Sequence, residues 1–137
     1  MSTPNPINVT RIDHVVLRVA DMEHMIAFYV DVLGCRLERG PGDNGLAQLR
    51  AGDSLIDLVD IGGQLGGTGH APDRGAANMD HLCLQVRPWD EATIQRHLEA
   101  HDVEAGPAAS RYGATGQGPS IYIEDPEGNT VELKGSA

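Results

Sequence analysis

The stretch Ile12-Asp13-His14-Val15-Val16-Leu17-Arg18-Val19 is written twice in this chain. Sixty-seven residues on stands Met79-Asp80-His81-Leu82-Cys83-Leu84-Gln85-Val86. Asp, His, Leu and Val recur in register, and Ile/Met, Val/Leu and Arg/Gln are near-equivalents. Two copies at a fixed offset in 137 residues indicate a duplicated module. Within the first copy Asp13, Val15, Leu17 and Val19 fall on one side, and Ile12, His14, Val16 and Arg18 on the other. With its β-branched enrichment this alternation predicts a strand over residues 11–19, and the second copy predicts one over 80–86. If helices cover Val15, Leu17, Leu82 and Leu84, then His14 and His81 point to the opposite, concave face.

Outward from the first copy, residues 1–10 are polar with two prolines and read as a loose lead-in. Asp21 is a candidate helix N-cap. Met22, Met25, Ile26, Tyr29, Val32 and Leu33 follow helical spacing as one apolar stripe, and Gly34 supplies the stop. Short runs at 35–38, 45–50 and 54–61, separated by Gly, Pro, Asp and Asn, read as antiparallel strands joined by turns. Module 1 is therefore β-α-β-β-β over about residues 9–61. Residues 62–78 form a linker with six glycines between 62 and 75. Loops of this length often act as lids or binding loops, and His70 lies within it.

Module 2 spans about 79–135. A helix is expected near 88–101, with Pro88 and the pair Asp90-Glu91 at its start and Trp89, Ile94 and Leu98 close to one face. Gly106-Pro107 and the region 113–119 read as breakers. Residues 120–124 and 130–134 form a hairpin around Asp125-Pro126-Glu127-Gly128-Asn129. The expected fold class is α+β. Two βαβββ modules in one domain, 1–137, form a curved mixed sheet of half-barrels with helices on the outer face.

Composition narrows the partners. A formal charge of -10 and a pI near 4.8 argue against nucleic acid, whose phosphates require basic patches. No apolar run approaches the ~20 residues of a membrane span. The first residues have neither a basic nor an apolar leader region, and two cysteines, Cys35 and Cys83, fit a reducing compartment, so the expectation is a cytoplasmic protein.

The parity that turns His14 and His81 to the concave face applies to the last strand of each module. Asp57 is an acid inside the apolar run Leu55-Ile56-Asp57-Leu58-Val59. In Thr130-Val131-Glu132-Leu133-Lys134, Val131 and Leu133 pack inward, and Glu132 faces away with Thr130 and Lys134. Equivalent strands thus deliver His and Asp, then His and Glu. A lone strand histidine is ordinarily a satisfied core or surface residue; here the repeat and the shared parity argue for a set. Imidazole nitrogen and carboxylate oxygen together hold a borderline divalent cation such as Zn, Ni, Mn or Fe(II), and positions left open mark a catalytic site. Cys83 shares the His81 face and reads as a small buried hydrophobe. Tyr122 has the parity of a pocket residue with a donor for substrate. His24, His97 and His101 read as exposed helix residues.

These residues together resemble the vicinal oxygen chelate superfamily, which includes glyoxalase I, fosfomycin-resistance thiol transferases, extradiol dioxygenases, methylmalonyl-CoA epimerase and bleomycin-binding proteins. The resemblance covers about residues 9–135. It rests on the stretch 12–19 before Phe28-Tyr29 and Leu33-Gly34, on Met79-Asp80-His81-Leu82, and on Ile123-Glu124-Asp125-Pro126-Glu127-Gly128-Asn129-Thr130-Val131-Glu132-Leu133. It implies paired βαβββ modules around a metal, commonly in a homodimer. By position His14, His81 and Glu132 match metal ligands, and Asp57 falls where glyoxalase I has a glutamate ligand. Asp is one methylene shorter, which leaves direct ligation by Asp57 open. The histidine of the dioxygenase signature has no counterpart within Gly113-Ala114-Thr115, which disfavours ring cleavage. Ser120-Ile121-Tyr122 before Asp125-Pro126 resembles the fosfomycin enzymes, yet no cluster of basic residues for a phosphonate stands out. The resemblance therefore implies a divalent-metal-dependent, glyoxalase-type lyase or isomerase. It acts on a small substrate with adjacent oxygens through an enediolate-like intermediate, with Glu132 or Asp57 as base. A thiol transferase, or a small-molecule (drug) binding protein without turnover, is the alternative.

Overall fold

The two copies of the repeated stretch become the edge strands of two matching sheets. The computed structural model describes residues 5–63, 65 and 76–136. In module 1, β1 (His14–Val19), β2 (Arg36–Arg39), β3 (Leu46–Ala51) and β4 (Ser54–Asp60) lie in the order β1-β4-β3-β2. β1 runs parallel to β4, and the remaining neighbours are antiparallel. In module 2, β5 (Leu82–Gln85), β6 (Ala109–Gly113), β7 (Gly116–Glu124) and β8 (Thr130–Lys134) repeat the plan as β5-β8-β7-β6. The fold is the α+β class read from the alternation.

Each module places one helical segment after its first strand. α1 (Met22–Ala27) starts at Asp21, whose side chain accepts the His24 N–H. It then widens into a π-helical turn, Phe28–Val32, where the Leu33 N–H reaches back to Phe28 O at 3.2 Å. The single helix expected over 22–33 is thus an α segment continued by a π segment. It ends at Gly34, whose φ of 75° a side chain would oppose. α2 (Glu91–Ala100) begins after Asp90, which accepts the Thr93 N–H, so the cap and not Pro88 sets its start.

Residues 113–119 correct the reading of their Gly and Pro as breakers. They are the end of β6, a two-residue turn and the first half of β7, with Gly113 paired to Gly116 and Arg111 to Gly118. Glycine at 118 is a packing requirement, because a Cβ there would lie 2.3 Å from Gly135 O.

The core-facing rows of both sheets join in one apolar core. Leu17, Val19, Ile56 and Leu58 meet Met25, Phe28 and Tyr29, and the same cluster continues through Leu98, Ile121, Ile123, Val131 and Leu133. Polar clasps cross between modules at its rim. Tyr29 Oη donates to Asp125 Oδ2 at 2.8 Å, and Glu127 accepts the Ala20 and Asp21 N–H groups. Asn78 pairs with both Arg18 N and Arg18 O, so a side chain extends β1 as a strand neighbour would. Among the described residues no helix is long and apolar enough to cross a membrane.

Candidate functional site

Strand register sorts the side chains of each sheet into two faces. In module 1, Val15 pairs with Ile56 and Leu17 with Leu58 on the core face. Val16 pairs with Asp57, and Asp57 with Gln48, so His14, Val16, Gln48 and Asp57 share the open face. In module 2, Leu82 pairs with Val131 and Leu84 with Leu133 on the core face. Cys83 and Tyr122 both pair with Glu132 on the open face, which His81 enters one residue before β5. All four ligand candidates therefore stand on open faces, at matching places in the two modules.

Module 2 assembles its half of the site by direct contact. His81 Nε2 lies 3.3 Å from Glu132 Oε1, and the His81 ring meets the Tyr122 ring edge-on at 5.5 Å. Glu132 is 6% exposed, a burial unusual for an acid, and His81, Cys83 and Tyr122 all border its carboxylate. Burial, then the Glu132 charge, push the Cys83 thiol and the Tyr122 phenol above their ordinary pKa values. Both groups stay protonated, as donors beside that carboxylate.

Module 1 offers a looser pair. Asp57 is 3% exposed, its Oδ2 accepts Gln48 Nε2 at 3.2 Å, and its Oδ1 is buried without a partner among the described residues. A buried carboxylate oxygen left unmet costs free energy, which a ligand or cation would recover. The Asp13 hydrogen bond, assisted by the nearby Asp57 charge, holds the His14 pKa above its ordinary value.

The aspartate in each repeat has a role that alternation did not reveal. Asp13 Oδ2 meets His14 Nδ1 at 2.7 Å, and Asp80 Oδ2 meets His81 Nδ1 at 2.6 Å. A carboxylate on Nδ1 favours the tautomer with its proton there, leaving Nε2 free as a ligand. Spacing could have signalled this, since Asp-His is the one adjacent pair of the repeat copied without change.

The two halves do not meet within one chain. Among the described residues no three His, Cys, Asp or Glu side chains converge closely enough to hold a metal ion. His70 lies outside the described residues. His24, His97 and His101 are exposed, as expected of helix residues, and stand apart from the four candidates; His97 Nε2 engages Val32 O at 2.8 Å. The structure also brings together two cations that linear spacing kept apart. Arg111 bonds Ser120, and Ser120 pairs across strands with Lys134, all on the open face of module 2.

A model of the Glyoxalase/Bleomycin resistance protein/Dioxygenase superfamily matches residues 11–133. The glyoxalase domain-containing protein RDO1 of Mycosarcoma maydis is 30% identical over 129 residues, covering 93% of this chain and 69% of the relative. Virulence protein STM3117 of Salmonella typhimurium is 32% identical over 126 residues, covering 91% and 83%. Its crystal structure superposes with a TM-score of 0.79 at 28% identity, covering 96% of this chain and all of that one. The lactoylglutathione lyase structure from Agrobacterium tumefaciens gives a TM-score of 0.66 at 27% identity, covering 93% and 95%.

Proposed function

Because the chain belongs to the Glyoxalase/Bleomycin resistance protein/Dioxygenase superfamily, we propose that it is a divalent-metal-dependent lyase or isomerase of the glyoxalase type. Its substrate is a small molecule with adjacent oxygens and an acidic proton α to a carbonyl. One observation carries this reading: each module sets a histidine and a nearly buried carboxylate on its open face, and Asp57 Oδ1 has no partner there among the described residues. Nitrogen and oxygen donors in this mixture suit Zn, Ni, Mn or Fe(II). His14, Asp57, His81 and Glu132 would hold the ion.

When bound, the ion supplies a Lewis acid that lowers the cost of negative charge on the substrate oxygens. Glu132 takes the α proton, and its burial removes competing water from the carboxylate. Tyr122 and Cys83, both kept protonated, donate toward Glu132 and keep it oriented. Asp57, anchored by Gln48 through one oxygen, can accept or return a proton from the other half of the site. Asp13 and Asp80 hold the histidine rings.

The separation of the halves supports a homodimer in which module 1 of one copy faces module 2 of the other. β1 and β5 are outer strands of their sheets, and Ile12 and Val16 on the β1 side are 71% and 49% exposed. Sheet edges with exposed apolar residues favour a partner strand.

The test is turnover of the hemithioacetal of glutathione and a 2-oxoaldehyde by metal-loaded protein, followed as thioester formation, beside conjugation of a thiol to an epoxide. We expect isomerisation that falls by about two orders of magnitude or more in Glu132→Gln. Absent isomerisation with active epoxide conjugation would replace this reading with thiol transfer. Absence of both would leave a binding protein.

A further inference from the structure

Proton transfer leaves one end of the module 2 open face without a role. Lys134 is 4% exposed, yet among the described residues its ammonium hydrogen-bonds backbone carbonyls alone, Gly116 O at 2.8 Å and Gly135 O at 3.2 Å. Among the described residues it pairs with no carboxylate. Buried charges are ordinarily paired, and Glu132, the nearest acid along its own strand, is engaged with His81. The chain nevertheless makes room for this cation. A Cβ at Gly113 would lie 3.0 Å from Lys134 Cε, and one at Gly118 would lie 3.1 Å from Nζ.

A second cation stands beside it. Ser120, fully buried and opposite Lys134 on β7, accepts Arg111 Nη1 at both its hydroxyl (2.6 Å) and its carbonyl (2.9 Å). The Arg111 guanidinium stacks 4.5 Å from the Tyr122 ring centroid, which fixes its plane. Nε and Nη2 have no hydrogen-bond partner among the described residues, and a guanidinium fork fits two oxygens of one anion. In a chain of net charge -10 the overall field repels anions, so recognition of one requires fixed local cations.

We propose that Arg111, Ser120 and Lys134 form an oxyanion subsite that grips a carboxylate or phospho group carried by the substrate. The assignment to substrate rests on the proposed proton-transfer site; the subsite itself uses module 2 alone. Lys134 follows Glu132 by two strand residues, about 7 Å, which sets the anion a few bonds from the carbon that loses its proton. The base and the anion grip thus share one face in neighbouring cross-strand rows: Glu132 and Tyr122 beside His81 in one, Ser120 and Lys134 in the next, with Arg111 reaching Ser120 from β6.

Calorimetric titration of the full chain with benzoate, phenylphosphonate and neutral benzamide tests this. At least one anion should bind and benzamide should not, and the stronger anion identifies carboxylate or phospho chemistry. Arg111→Gln and Lys134→Met should each weaken binding at least tenfold, while Arg36→Gln, which removes an exposed cation on β2 of module 1, leaves it unchanged. Unchanged affinity in folded Arg111→Gln, equal binding of benzamide, or no anion binding by the unmodified chain would overturn the subsite. Should Lys134→Met fail to fold, Arg111→Gln on the half-exposed side decides alone. Anion binding by a protein that retains no metal would sink the proton-transfer reading and keep the subsite. Metal retention without anion binding would do the reverse.

Discussion

Asp57 Oδ1 is a buried carboxylate oxygen with no donor among the described residues, and one missing partner decides how the residue behaves. If it ligates a cation, Asp57→Asn weakens metal retention by removing charge while Gln48 still has an oxygen to bond. Measured by equilibrium dialysis, the loss should be smaller than in His81→Ala, since the module 2 pair is already formed. Tyr29 illustrates the opposite case, a buried group fully satisfied. Its hydroxyl donates to Asp125, and burial, then the Asp125 charge, push its pKa far above the ordinary value. Burial likewise pushes the Cys35 thiol up to about 11. A raised pKa means the folded chain keeps a proton that the unfolded chain loses. The stability is therefore full below the unfolded pKa values and declines as pH rises past about 9–10, by up to ~1.4 kcal/mol per pH unit per group. Urea midpoints should fall above that range. Tyr29→Phe should cost about 1 kcal/mol near neutrality and flatten the alkaline decline. An equally steep decline in Tyr29→Phe would exclude Tyr29 as a contributor.

The turn from Asp125 to Asn129 does more than join β7 to β8. Asp125 accepts the Glu127 and Asn129 N–H groups at one oxygen, and Tyr29 Oη and Asn129 Nδ2 at the other. Asp125→Ala would strand these buried donors and should cost about 3–5 kcal/mol in urea unfolding, with Glu127→Ala costing only about 1 kcal/mol at an exposed cap. Equal losses would show that the buried hub has no special weight. The composition of this turn was legible as Pro and Gly at turn positions, but its grip on Tyr29 was not, because that contact spans 96 residues. The same division runs through the fold. Period-2 alternation disclosed β1, β5 and the faces of His14, His81, Asp57 and Glu132, because parity is a local property. β6 and the start of β7 were hidden because Gly118 answers to Gly135, a tertiary neighbour that propensity cannot see. Arg111 and Lys134 were hidden as a pair because cross-strand register, not spacing, brings them to Ser120.

At the scale of the molecule, one chain carries two candidate half-sites that face away from its shared core. A homodimer that joins them makes a prediction no single-chain site shares. Mixing His14→Ala chains with His81→Ala chains, through mild unfolding and refolding, should regenerate about one intact site in four, because half the dimers are mixed and each holds one unmutated pairing. A site closed within one chain would regain nothing. The ligand set itself is tested most directly by elemental analysis of purified protein beside His81→Ala, Glu132→Ala and Asp57→Ala. The account predicts about one divalent ion per chain in the unmodified protein, near-complete loss in the first two variants, and partial loss in the third. No divalent ion taken up by the unmodified protein, or equal occupancy in all three variants, would contradict it.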